Sequence, residues 1–138
     1  MKLEFHHINY VSKDVDELNR FYTEIMGLTV LPAQRFVRSV ATKDSVYDGR
    51  IKFVTDGRMQ MHLAEKDLNV AAKNDRHINP VEKGHIAFRT ENIEEFKDIL
   101  DSKGIPYADY GTTFSQEWYQ VFFYDPEGNV VEVHQVIE

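Results

Sequence analysis

The chain has 138 residues, 42% hydrophobic and 28% charged, with a net charge of −7; that is ordinary for a globular protein able to bury roughly two-thirds of its unfolded surface. The negative balance argues against nucleic acid or an anionic membrane as the main partner, and no apolar run approaches the roughly 18 residues that span a bilayer. Without cysteine there is neither a disulfide framework nor a thiolate metal site, and MKLEFHH lacks signal-peptide zones, so the expected location is cytoplasmic.

In chain order, EFHHINYV at 4–11 has the β-branched and aromatic content of a strand. Asp14 then precedes VDELNRFYTEIM, where Val15, Leu18, Phe21, Tyr22 and Ile25 recur at helical spacing. Asp14 with Glu17 forms a capping pair, and Gly27 is a C-terminal stop. Residues 28–37, 46–55 and 58–63 read as three further strands, separated by Asp48-Gly49 and Asp56-Gly57 turn signals. Residues 65–82, EKDLNVAAKNDRHINPVE, are polar and poorly periodic and read as a linker. The order then repeats: a strand at 84–90, a helix at about 92–102, and strands near 105–110, 117–124 and 129–136, the last two joined by the turn DPEGN. The repeat is visible in the letters, since HHINYVSKDVDELNRFYTEIMGL and KGHIAFRTENIEEFKDILDSKGI both run His-Ile, strand, acidic helix, glycine. The expected organisation is one domain over 1–138, with module one at about 1–64, the linker at about 65–82 and module two at about 83–138. The fold class is α+β, two tandem βαβββ modules.

Strand alternation assigns faces. Ile8 and Tyr10 oppose His7 and Asn9; Met61 and Leu63 oppose Gln60 and His62. Ile86 and Phe88 oppose His85, Ala87 and Arg89; Val131 and Val133 oppose Val130, Glu132 and His134. Each strand thus has an apolar face suited to a helix and a face carrying His or Glu. On a single curved mixed sheet, His7, His62, His85 and Glu132 converge on the concave side. Imidazole nitrogen and carboxylate oxygen are donors for Zn²⁺, Ni²⁺, Mn²⁺, Fe²⁺ or Co²⁺, so the cleft is expected to bind one divalent metal ion of open identity. Gln60 and Arg89 alternate onto the same side and are candidate substrate-binding residues. His6 is expected on the opposite face as a structural residue, His77 in solvent, and His134 exposed, although it shares the Glu132 face and is a second candidate base.

The stretches already quoted, together with MHL closing the first module, GHIAF opening the second and FFYDPEGNVVEV ending it, resemble the vicinal oxygen chelate superfamily, which includes glyoxalase I, methylmalonyl-CoA epimerase and extradiol dioxygenases. The resemblance spans nearly the whole chain. It implies metal ligands at His7, His62, His85 and Glu132, with Glu132 four residues after the Gly of the DP-x-G turn. It also implies a small-molecule substrate, a homodimer, and stabilisation of an enolate or oxyanion by the metal, with Glu132 as the catalytic base. Glyoxalase I enzymes usually carry Glu or Gln where His62 stands, which weakens the case for hemithioacetal isomerisation. The expected activity is therefore a metal-dependent lyase or isomerase related to lactoylglutathione lyase. The alternatives are a metal-free drug- or metabolite-binding module of the bleomycin-resistance type and a small extradiol-type dioxygenase.

Overall fold

The computed structural model of the protein describes residues 1–31, 36–39 and 47–137. Along them run β1 (Glu4–Ser12), α1 (Val15–Arg20) continued by a π turn (Phe21–Ile25), β2 (Thr29–Val30), β3 (Ile51–Thr55), β4 (Gln60–Glu65), α2 (Val70–Lys73), β5 (His85–Arg89), α3 (Ile93–Ser102), β6 (Tyr107–Gly111), β7 (Trp118–Tyr124) and β8 (Val130–Val136). The strands form one curved, open, mixed sheet in the order β2-β3-β4-β1-β5-β8-β7-β6. Within each module the opening strand lies parallel to the closing one, β1 beside β4 and β5 beside β8. The modules meet through the antiparallel β1–β5 pair. The four central strands are therefore those that carry the candidate site residues.

Local chemistry repeats in the two halves. Asp14 caps α1 by accepting from the Glu17 amide at 3.0 Å, and Asn92 caps α3 by accepting from the Glu95 amide at 3.0 Å. Gly27 and Gly104 end the helical segments at φ of +74° and +66°, where a side chain would be strained. On the convex side, Ile93, Phe96 and Leu100 of α3 pack on Val121 and Val133. Val15, Leu18 and Tyr22 pack on Val54, Leu63 and Met61. Phe21 and Ile25 are exposed instead of buried, because a π turn no longer stacks residues three and four apart on one face.

Two strand expectations are corrected. The strand expected over 28–37 is only Thr29–Val30 in its described part; residues 32–35 lie outside the described residues. The strand expected over 46–55 starts at Ile51; residue 46 is also outside them. Across 47–50 the chain is irregular, and there Arg38 donates to the carbonyls of Gly49 at 2.8 Å and Tyr47 at 2.6 Å. A guanidinium thus takes the place of a neighbouring strand for these acceptors. Residues 65–82, expected as a linker, carry four anchors among their polar residues: Val70, Ile78, Pro80 and Val81 are all buried. Val70, Ile78 and Val81 join Phe53, Tyr110, Phe114, Trp118 and Phe122 in a core on the concave side. The segment crosses that face and closes it. Among the described residues no helix is long and apolar enough to cross a membrane.

Candidate functional site

His7, Asn9, His62, His85, Gln120 and Glu132 line a cavity of about 30 Å³, together with Phe36, Tyr47, Phe114, Phe122 and Pro80. That is room for about one water or one ion. The pairing places these groups: β1 sets His7 opposite Ala87 and Asn9 opposite His85, and β5 sets Ala87 opposite Glu132. His7, His85 and Glu132 are thereby brought together, each offering a donor atom within 4.8 Å of the others, all from one chain.

Hydrogen bonds fix the chemistry of these donors. His85 Nδ1 lies 3.1 Å from the Pro80 carbonyl oxygen. A carbonyl only accepts, so Nδ1 carries the proton and donates. With that proton on Nδ1, the neutral form of the ring presents a lone pair on Nε2, which lies 3.1 Å from Glu132 Oε1, itself an acceptor. Two lone-pair atoms at that distance require a proton or a cation between them. His7 Nε2 stands 3.6 Å from the same Oε1. Donors bound to one ion at roughly 2.1 Å and at right to tetrahedral angles are about 3.0–3.4 Å apart; the His85–Glu132 distance falls in that range, and His7 stands slightly outside it. His7 Nδ1 lies 2.8 Å from His6 Nδ1, and a ligating imidazole normally has such a partner for its other nitrogen.

Charge points the same way. Burial pushes the His7 imidazole down to about 4, against the pull of Glu132, and burial also holds His62 well below its ordinary value. Burial opposes the charge of Glu132 as well. The neighbouring His7 ring and the close contacts of His134, His7 and His85 outweigh it, and the carboxyl lies well below its usual range. At neutral pH an anion sits among neutral, buried rings, and a cation would balance it.

His62, expected as a fourth ligand, is placed differently. In the parallel register His7 faces Gln60 and His62 faces Asn9. The His62 ring therefore stacks on His7, with centroids 3.6 Å apart and planes 15° apart, and its Nε2 bonds the Gln60 side-chain oxygen at 2.9 Å. Gln60 is thus occupied by His62. Arg89 donates from Nε to His134 at 3.0 Å, lies 5.1 Å over the Trp118 ring, and borders an outer groove with Met1, Lys2 and Glu95. His77 is exposed as expected.

Two histidines depart from expectation. Pairing shifts between Phe5 opposite Phe88 and His7 opposite Ala87, a bulge at His6 that turns His6 and His7 to the same side. His6 accordingly lies 4.9 Å from the His134 ring and 5.2 Å from Trp118, centroid to centroid. His134 is fully buried, and its Nδ1 bonds Glu132 Oε2 at 2.6 Å. His6, His7 and His134 also offer three donors close together, but both nitrogens of His134 are engaged, one by a guanidinium, so that trio is a poor cation site. Asn9 and Gln120 were not singled out from the sequence. Both are buried, both line the cavity, and each has a side-chain oxygen without a hydrogen-bond partner. Asn9 shares the His7 face by simple alternation, which was signal enough to find it; Gln120 has no such marker.

The sequence profile described as Glyoxalase/Bleomycin resistance protein/Dioxygenase superfamily matches residues 4–133. No curated protein sequence matches the chain. Among solved structures, the hypothetical protein BH1468 from Bacillus halodurans C-125 superposes with a TM-score of 0.69 at 17% identity, covering 100% of this chain and 97% of its own. Methylmalonyl-CoA epimerase from Mycobacterium tuberculosis gives 0.68 at 14% identity, covering 98% and 89%. A variant of Streptomyces coelicolor methylmalonyl-CoA epimerase in complex with 2-nitronate-propionyl-CoA gives 0.66 at 20% identity, covering 98% and 96%. At these identities the likeness is one of fold.

Proposed function

The chain belongs to the Glyoxalase/Bleomycin resistance protein/Dioxygenase superfamily, and we propose that within it the protein is a divalent-metal-dependent enzyme of the lyase or isomerase type, acting on a small oxygen-chelating substrate. His7 Nε2, His85 Nε2 and Glu132 Oε1 would hold the ion. The observation that carries this reading is the 3.1 Å approach of His85 Nε2 to Glu132 Oε1 when the Pro80 carbonyl has already claimed the proton on Nδ1. A divalent ion held there supplies Lewis-acid stabilisation of negative charge on a substrate oxygen.

The remaining groups of the cavity divide the other work. Glu132 is engaged at both oxygens, so the proton-accepting role expected of it passes to His62. Gln60 accepts from His62 Nε2–H, which leaves Nδ1 with a lone pair, and burial keeps that ring in the neutral form that a base requires. Asn9 and Gln120, whose carboxamide oxygens lack partners, would orient hydroxyl or N–H groups of the substrate. A cavity of about 30 Å³ is far below the roughly 300 Å³ of a ligand pocket. Substrate entry therefore requires Phe36, Tyr47 or Phe114 to swing aside. A homodimer and a cytoplasmic location belong to the same reading.

One specific observation supports a second reading. Two imidazoles and one carboxylate are the donor set of non-haem Fe²⁺ oxygenases, so a small extradiol-type dioxygenase fits the same three residues. The deciding experiment measures metal content by elemental mass spectrometry after loading with Zn²⁺, Ni²⁺, Mn²⁺, Co²⁺ or anaerobic Fe²⁺. About one ion per chain is expected, falling at least tenfold in His85→Ala and Glu132→Ala. An equal metal content in wild type and both variants would overturn the metal-dependent reading. Oxygen uptake with catechols by the Fe²⁺-loaded protein would replace the lyase reading with the dioxygenase one.

A further inference from the structure

Beside the three candidate ligands lies a chain of contacts that the proposed reaction does not use. Arg89 Nε lies 3.0 Å from His134 Nε2, and His134 Nδ1 lies 2.6 Å from Glu132 Oε2. A guanidinium N–H can only donate. His134 Nε2 must therefore be the acceptor, so the neutral ring carries its proton on Nδ1 and donates it to the carboxylate. The direction of every bond along Arg89–His134–Glu132 follows from the first donor. The ring has little freedom to depart from it: Trp118 stacks on its face at 4.1 Å and 18°, the His6 ring meets it edge-on, and the residue is fully buried.

We propose that Arg89 and His134 are positioning residues that commit Oε2 of Glu132 to a hydrogen bond and so present Oε1 alone to the side where His7 and His85 converge. The consequence is a carboxylate that binds through one oxygen rather than two, which leaves more of the ion's coordination sphere for substrate oxygens. This rests on the metal-dependent reading of the site. It gives Arg89 a role toward Glu132 in place of the substrate contact expected from its alternation, and it gives His134 a role although neither of its nitrogens is free to ligate.

Two measurements test the relay. In the metal-free protein, long-range ¹H–¹⁵N correlation of the histidine rings should find His134 as the Nδ1–H tautomer, the less common form in water. In Arg89→Met, which keeps the aliphatic length but loses the donor, that tautomer should give way to a mixture. In Co²⁺-loaded protein, His134→Ala should bind the ion roughly 10- to 100-fold more weakly and change the visible d–d spectrum toward a higher coordination number. His134→Asn should recover part of the affinity, since its amide can still donate to Glu132. An Nε2–H tautomer in wild type overturns the relay whatever the metal content. Unchanged Co²⁺ affinity and spectrum in His134→Ala overturns it while leaving the metal site standing. A wild type that binds no ion overturns the proposed function instead. Should His134→Ala fail to fold, Arg89→Met carries both the tautomer and the Co²⁺ measurements.

Discussion

Four imidazoles around Glu132, those of His6, His7, His62 and His134, lie below their ordinary value, each chiefly because burial penalises the charged ring. For a histidine whose folded value is depressed, the unfolded chain binds more protons between the two values. Stability therefore rises with pH across that window and is lost on acidification. For His7 the window runs from about 4 to 6.5, and the difference is worth roughly 3 kcal/mol. Glu132 acts lower down: its depressed value contributes stability above the unfolded carboxyl value that is lost as pH falls through the folded one. Urea unfolding of the metal-free protein should give a constant midpoint above pH 7 and a midpoint that drops steadily below about pH 6.5. A midpoint unchanged from pH 7 to 5 would contradict the neutral, buried rings. These residues were legible as a His/Glu face, because alternation needs only the spacing of letters. Their engagement by one another was not, since a shared face does not say which side chains on it bond.

At the scale of elements, β1 and β5 decide the site, and each contains a device that periodicity does not reveal. The bulge at His6 places two successive side chains on the concave face, and nothing in EFHHINYV marks where a ladder slips. Gly84, directly before His85, lies where β5 passes β1: a Cβ there would come within 2.5 Å of the Asn9 carbonyl oxygen. That oxygen is backbone and cannot rotate away. Gly84→Ala should therefore cost about 1–3 kcal/mol by overpacking and lower the melting temperature by several degrees, with calorimetry as the check. An unchanged melting temperature would mean that the two strands can separate without loss. The helical segments that end at Gly27 and Gly104 were legible for the opposite reason. Asp14, Asn92, Gly27 and Gly104 act through bonds and torsions within a few residues of themselves, and local chemistry is written locally.

For the whole molecule, the central order β4-β1-β5-β8 gathers His7, His85 and Glu132 from a single chain. If the protein is a homodimer, as proposed, the ion should not depend on it. Light scattering combined with elemental analysis should find one ion per chain in the dimer, and dilution to monomer should leave the ion bound. Loss of metal in step with dissociation would mean that the partner completes the site.

By itself the sequence determined the α+β class, the two βαβββ modules, the helical segments before Gly27 and Gly104 and the four strands that bear His and Glu, because each depends on periodicity or on contacts a few residues apart. Only the tertiary structure decided which of those side chains meet. The parallel β1–β4 register sets His62 against His7 as a stacked neighbour, the bulge turns His6 inward, and the segment 65–82 buries Val70, Ile78 and Val81 to close the concave face. Strand register and the packing of a connecting segment arise from contacts between residues tens of positions apart, and a one-dimensional pattern carries no record of that distance.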